Sequence, residues 1–225
     1  MSKPKVIIAT PIHRQPHPRM EASRKLVMAT AQKAEVSYME LRNESLISRA
    51  RNTLLASFVA TNADFLYFWD DDIEALNIGG DQGNLIDMLV SHDLPMVGGL
   101  YATRGIGGHC SARVYKDDGP RGRLWSIRYL AGGSILVRRD AVNDMITASP
   151  ELEYETRSNC GTDAPAAWAL FQPFIDCGEY LSEDYAFCQR WLNTAGMVHA
   201  DLDVRLWHWG EAAFSVQDPR QEPPQ

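Results

Sequence analysis

The run Phe65–Trp69 sets five bulky apolar side chains in a row and stops at three carboxylates, Asp70, Asp71 and Asp72. A stretch that short, aromatic and free of charge fits a strand buried on both faces. Such strands belong to open α/β sheets with helices on either side, whose ligands bind just beyond the carboxyl ends of the strands. Carboxylates gathered at that place repel one another and cost free energy unless a cation lies between them. A hard divalent ion, Mn²⁺ or Mg²⁺, suits their oxygens, and a diphosphate suits the ion.

The flanking sequence agrees with that setting. Val6–Ala9 reads as a first strand closed by Thr10-Pro11, and Pro16 and Pro18 predict irregular chain after it. A helix is expected over Glu21–Ala34, a strand over Val36–Leu41 and a helix over Ser48–Ala60. The second helix sets Ile47, Leu54, Leu55 and Phe58 on one face, with Asn62 as its C-terminal cap. Strand, helix, strand, helix, strand is the pattern of a parallel sheet with right-handed crossovers. Further on, Leu85–Ser91 predicts a short helix and Met96–Tyr101 a strand. The turn residues between Ser111 and Tyr129 predict a hairpin, and Ser134–Val137 another strand. Asp140 is expected to cap a helix to Ala148, and Ser182 one to Asn193. Between them, 149–180 has no period, as expected of a lid or an acceptor wall. The whole predicts one domain over 1–216 and a flexible tail over 217–225.

A net charge of −7 argues against a broad basic surface for nucleic acid. Basic residues do concentrate in Arg104, Arg113, Lys116, Arg121, Arg123 and Arg128, as a phosphate path or as a solvated hairpin. Cys110, Cys160, Cys177 and Cys188 are too scattered for a zinc site or a disulfide framework. No run approaches the roughly 20 apolar residues of a membrane span. These features predict a soluble protein of a reducing compartment, the cytoplasm.

Five groups carry the candidate chemistry. Asp70 and Asp72 face one side if the segment is extended, and could hold an ion with substrate phosphates; otherwise they are a solvated turn. Glu183 and Asp184 follow the cap Ser182, where a helix dipole favours acids; Asp184 shares a stripe with Cys188 and Trp191, which points it inward as a base. His208, between Trp207 and Trp209, is a packed histidine or a metal ligand. Gly132-Gly133 precede a strand, as at a close backbone approach or a bulge. Arg51 suits phosphate or carboxylate, or else lies on a solvated helix face. A second acidic pair, Asp201 and Asp203, reads as a polar strand face.

Taken in order, Thr10-Pro11, Asp70-Asp71-Asp72, Gly132-Gly133, Glu183-Asp184 and His208 resemble a GT-A glycosyltransferase from Val6 to about Gly210. That resemblance implies an open, mostly parallel Rossmann-like sheet and a nucleoside diphosphate sugar, with a UDP-sugar as the expected donor, held through Mn²⁺ or Mg²⁺. It implies Asp70 and Asp72 as metal and ribose-diphosphate contacts, with Asp71 beside them, and His208 as a further metal ligand. Asp184 matches the base of inverting members, Glu183 being its neighbour and alternate. Thr10, Pro11, Gly132 and Gly133 would line the donor, and Arg51 would lie near the nucleotide. Compact members are also encoded by viruses and bacteriophages. The acceptor stays open: a glycan, a protein, a small molecule or a modified DNA base. A nucleotidyltransferase is the nearest rival, although the Gly-rich basic loop it usually carries after the first strand is replaced here by Thr10–Arg14, poor in glycine. A non-catalytic sugar-nucleotide-binding protein is the other.

Overall fold

The computed structural model describes residues 2–13, 15–103, 109–115, 119–120, 122–156, 166–210 and the backbone of 213–214. Its frame starts with β1 (Lys5–Ile12), α1 (Pro18–Thr30), β2 (Glu35–Arg42), α2 (Ile47–Val59) and β3 (Phe65–Trp69). β1 pairs in parallel with β2 and with β3, Val6 lying opposite both Val36 and Phe65. Pro11 falls inside β1 rather than after it. Pairing with β3 ends at Ala9, so beyond that point the missing N–H of Pro11 breaks no ladder bond on that side. Pro18 opens α1 instead of preceding it, because the first helical position needs no N–H.

Why β3 is apolar at every position is visible in its two faces. Leu66 and Phe68 pack with Leu54, Leu55 and Phe58 of α2, whereas Phe65, Tyr67 and Trp69 pack with Met20 and Val27 of α1. Successive side chains of a strand point to opposite sides, so a strand covered by a helical layer on each face must be apolar at every position. Truncating Phe68, fully buried, to alanine would cost about 3–5 kcal/mol.

The chain continues through β4 (Ile73–Ala75), α3 (Leu85–Val90), β5 (Met96–Gly99), β6 (Ala112–Arg113), β7 (Leu124–Ile127), β8 (Tyr129–Leu130), β9 (Ser134–Arg138) and α4 (Arg139–Ala148). After it come β10 (Glu153–Glu155), β11 (Ala166–Trp168), β12 (Phe174–Asp176), β13 (Glu179–Leu181), α5 (Glu183–Asn193), β14 (Val198–Asp201), β15 (Leu206–Trp209) and β16 (Ala213–Phe214). The central sheet has the order β2-β1-β3-β9-β5-β14-β7. β9 runs antiparallel between β3 and β5, and β7 antiparallel at the edge; the other strands are mutually parallel. The architecture is therefore α/β, a mostly parallel sheet flanked by helices with small antiparallel pairs.

Several local expectations differ. The 111–129 hairpin resolves into β6 paired with β8, while β7 joins the main sheet through β14. The aperiodic 149–180 region contains two short antiparallel pairs, β10 with β11 and β12 with β13; 157–165 lies outside the described residues, as does the 217–225 tail. Asp140 sits inside the first turn of α4, bonded to its neighbour Arg138, and the cap position belongs to Arg138. Ala60, not Asn62, caps α2. Ile47 is more than a third exposed and does not share the buried face.

β1 leads outward to β2, while β3 leads to β5 on the other side. The carboxyl ends of β1 and β3 thus flank the point where the winding direction reverses, which is where an open α/β sheet leaves a crevice.

Candidate functional site

A crevice of about 220 Å³ lies at that reversal, lined by Pro11, Ile12, His13, Glu44, Ser45, Ile47 and the three aspartates. Thr10 is fully buried beneath it. The chain does not stay extended past Trp69: the Ile73 N–H closes a turn on the Asp70 carbonyl at 3.3 Å, and the Trp69 indole N–H donates to the Ile73 carbonyl at 2.6 Å. The alternation of an extended segment is lost, and Asp70 and Asp72 go to different partners.

Asp70 meets Arg51. The α2 guanidinium, with only 3% of its side chain exposed, donates through one nitrogen to both Asp70 oxygens, at 2.8 and 2.9 Å. Its other terminal nitrogen donates to Glu183 Oε1 at 3.0 Å. Burial alone would lower the Arg51 pKa, but the Asp70 and Glu183 carboxylates outweigh it and push it up. Arg51 is therefore neither on a solvated helix face nor turned to the crevice; it is a fixed cation tying the end of β3 to the start of α5.

The two glycines explain how it fits. A Cβ on Gly132 would lie 1.9 Å from Arg51 Nη1, and one on Gly133 would lie 2.7 Å from the Tyr101 hydroxyl and 2.9 Å from Asp70 Oδ2. Only a bare backbone leaves room. The Gly133 N–H donates to the Tyr101 hydroxyl at 3.0 Å. Burial, and then the Asp70 charge, raise the Tyr101 pKa well above the ordinary phenol value.

Glu183 and Asp184 open α5, and both lie beside the glycines. Asp184 Oδ2 accepts the Gly132 N–H at 3.2 Å, while Oδ1 accepts the Tyr185 N–H at 2.8 Å and the Ser182 hydroxyl. Ser182 thus occupies the cap position yet gives its hydroxyl to Asp184. Burial raises the Glu183 pKa, and Arg51 offsets part of that rise.

Asp72 meets His208. β15 pairs antiparallel with β4, placing His208 opposite Ile73 and thereby beside Asp72. His208 Nδ1 lies 2.7 Å from the Ala102 carbonyl oxygen. A carbonyl can only accept, so Nδ1 carries the hydrogen, and Nε2 faces Asp72 Oδ2 at 3.5 Å. A ring nitrogen turned to a carboxylate needs a proton or a cation between them. Fixing the far ring nitrogen on a backbone carbonyl is the usual support of a metal-binding imidazole. The Tyr101 ring stands edge-on to His208, centroids 5.3 Å apart. The loop backbone is pinned as well: His17 N–H donates to the Asp71 carbonyl at 2.7 Å, and Trp209 N–H to the Asp72 carbonyl at 2.9 Å. The His17 and Trp209 rings stack at 4.7 Å.

Among the described residues no three His, Cys, Asp or Glu side chains converge to hold a metal by themselves. Asp72 and His208 suit an ion that draws its remaining ligands from a substrate, the habit of Mg²⁺ at phosphate sites.

The other acidic pair has a different character. Asp201 is fully buried, not on a polar strand face, and accepts from Arg123 at 2.7 Å and lies 2.9 Å from His92 Nε2. Of the basic group, Arg104, Lys116 and Arg121 lie outside the described residues. Arg113, Arg123 and Arg128 each face a carboxylate, from Glu179, Asp201 and Asp176. Sequence reasoning missed Tyr101, although a polar aromatic just past the end of a central strand, β5, is a signal that could have found it.

No protein-family model matches the chain, and no curated protein does. Among solved structures, a protein described as A197 from STIV superposes with a TM-score of 0.57 at 12% identity, over 95% of each chain. A UDP-glucose pyrophosphorylase complexed with UDP-glucose gives a TM-score of 0.48 at 8% identity, covering 89% of this chain and 90% of that one. An apo UDP-glucose pyrophosphorylase gives 0.39 at 7% identity, over 88% of this chain and 72% of that one. At these identities the first likeness concerns the fold. No described helix is long and apolar enough to cross a membrane.

Proposed function

We propose that this chain is a metal-dependent glycosyltransferase of the GT-A kind, moving a sugar from a nucleoside diphosphate, UDP foremost, to an acceptor hydroxyl. The observation that carries the reading is the Asp72–His208 pair at the crevice mouth, 3.5 Å apart, with His208 Nδ1 committed to the Ala102 carbonyl. Mn²⁺ or Mg²⁺ held by Asp72 and His208 would supply Lewis-acid stabilisation of the charge growing on the leaving diphosphate.

The chain's own residues would do the rest. Pro11 and Ile12 offer an apolar wall to the nucleoside, and Asp71 lies at the same mouth. Gly132 and Gly133 leave the room in which Arg51, Tyr101 and Asp70 pack beside the crevice. Arg51 keeps Asp70 and Glu183 in fixed positions, which lowers the reorganisation needed at the moment of reaction. An acid at the start of α5 takes the acceptor's proton as its oxygen attacks the anomeric carbon. In-line displacement of the diphosphate inverts that carbon.

The nucleotidyltransferase alternative is disfavoured because β1 runs as a strand through Ile12 with no glycine loop to wrap a triphosphate. A DNA-base acceptor is disfavoured because the described arginines of the basic group are engaged by carboxylates. Calorimetry with UDP, GDP and TDP, with and without Mn²⁺, followed by donor hydrolysis, tests the reading. Metal-dependent binding and release of free sugar are expected. Nucleotide binding indifferent to metal would overturn it, and tight binding without turnover would reduce the chain to a binding protein.

A further inference from the structure

Two acids open α5, and their environments differ in a way their adjacency in sequence hides. Both oxygens of Asp184 are engaged: Oδ2 by the Gly132 N–H at 3.2 Å, and Oδ1 by the Tyr185 N–H at 2.8 Å together with the Ser182 hydroxyl. Three donors from the protein framework therefore converge on Asp184. Those bonds also fix the backbone of Gly132, the residue whose bare Cα makes room for Arg51. Glu183 is held at Oε1 by Arg51 at 3.0 Å, and its side chain remains 20% exposed. Its own backbone N–H is the other group that bonds the carboxylate.

We infer that Glu183 is the proton acceptor of the proposed transfer and that Asp184 is a positioning residue that holds Gly132. The inference rests on the glycosyl-transfer reading and assigns a role within it. Burial raises the proton affinity of Glu183, which suits a base working near neutrality, while Arg51 holds the carboxylate in place and restrains the rise. The charged groups around it are Arg51 from α2, Asp70 after β3 and Asp184 on its own helix. In the step, the acceptor O–H bond breaks and its proton passes to Glu183 Oε2. The oxygen's electron pair forms the bond to the anomeric carbon. The bond from that carbon to the diphosphate oxygen breaks, and its pair leaves with the diphosphate. Glu183 then returns the proton to solvent.

Glu183→Gln and Asp184→Asn compared in donor hydrolysis, with water as acceptor and a panel of UDP-, GDP- and TDP-sugars, decide the matter. Glu183→Gln should lose about a thousandfold in kcat, with donor KM and UDP–Mn²⁺ affinity close to wild type. Asp184→Asn keeps one acceptor oxygen and should lose about tenfold or less, with the change shared between kcat and donor KM because the Gly132 backbone shifts. Formate added to Glu183→Ala should restore part of the rate by taking the proton in the vacated space, and should do nothing for Asp184→Ala. If Glu183→Gln does not fold, Glu183→Asp, which keeps the charge but retracts it by one methylene, should still lose about tenfold in kcat at unchanged KM. An inactive Asp184→Asn beside an active Glu183→Gln overturns the inference and leaves the glycosyl-transfer reading standing. Wild-type protein that turns over no donor overturns both.

Discussion

Asp70–Asp72 follows β3 and Asp201–Asp203 ends β14, so the same acid-x-acid spacing stands twice at the carboxyl edge of one sheet. At β14 the fold delivers donors from several directions: the Arg123 fork, the His92 ring at 2.9 Å and the Asp203 N–H at 3.0 Å. Burial works against the Asp201 anion, but the Arg123 and His92 hydrogen bonds outweigh it, and its pKa falls below the ordinary carboxylate value. At β3 the partners divide. Asp70 receives a buried guanidinium, and Asp72, with 21% of its side chain exposed, faces an imidazole already committed on its far side. The same spacing thus ends in one buried arginine–histidine–carboxylate cluster at β14 and in two separate partnerships at β3.

The sharpest way to break this contrast is to remove one acid from each pair. Asp72→Asn should weaken Mn²⁺-dependent UDP binding by at least about a hundredfold, beyond the 10–100-fold that losing an outer partner of a metal ligand costs, with the melting temperature nearly unchanged. Asp201→Asn should do the reverse. It should cost about 2 kcal/mol, short of a fully buried pair because Arg123 is 39% exposed and can rehydrate. For a chain of this size that lowers Tm by roughly 6 °C, with UDP–Mn²⁺ binding intact. Equal effects of the two substitutions on calorimetric affinity would erase the distinction.

The histidines sharpen it at smaller scale. His208→Ala should reduce Mn²⁺ affinity about tenfold or more, read by the paramagnetic signal of the free ion, whereas His92→Ala should cost about 1 kcal/mol of stability and no metal affinity. The smallest effect is in acid. Because the folded pKa of Asp201 is depressed, its contribution is present above the unfolded value of about 3.9 and is lost as pH falls through the lower folded value. Urea titrations should show wild type and Asp201→Asn separated by a constant gap above about pH 5 and converging below about pH 4. A gap that widens in acid would mean the carboxylate is not held as described.

The frame was legible because period and burial coincide in it: an unbroken aromatic run can only be a strand covered twice, and Leu54, Leu55 and Phe58 can only be the face that covers it. The direction of β9 was not legible, since an isolated apolar run carries no sign of parallel or antiparallel pairing. Asp201 was misread for a physical reason. Burial of an acid depends on donors that come from far along the chain, here Arg123 and His92, and no local pattern announces them. Arg51 posed the same difficulty in reverse: its residue type fitted phosphate equally well, and only the positions of Asp70 and Glu183 decide otherwise. The convergence of Asp70, Glu183, Asp184 and the two glycines around one end of the sheet followed from their order along the strands. The turn that separates Asp70 from Asp72 did not, because it depends on the Trp69 indole reaching the Ile73 carbonyl.

The space that Gly132 leaves is filled by Arg51, whose Nη1 would stand 1.9 Å from any Cβ placed there. The two positions are therefore a single heritable unit, although they stand 81 positions apart along the chain. A descendant that acquires even alanine at 132 must surrender the arginine of α2 or move it, and one that loses the arginine is released from the glycine. Across any lineage that keeps this architecture, the two should be retained together or discarded together.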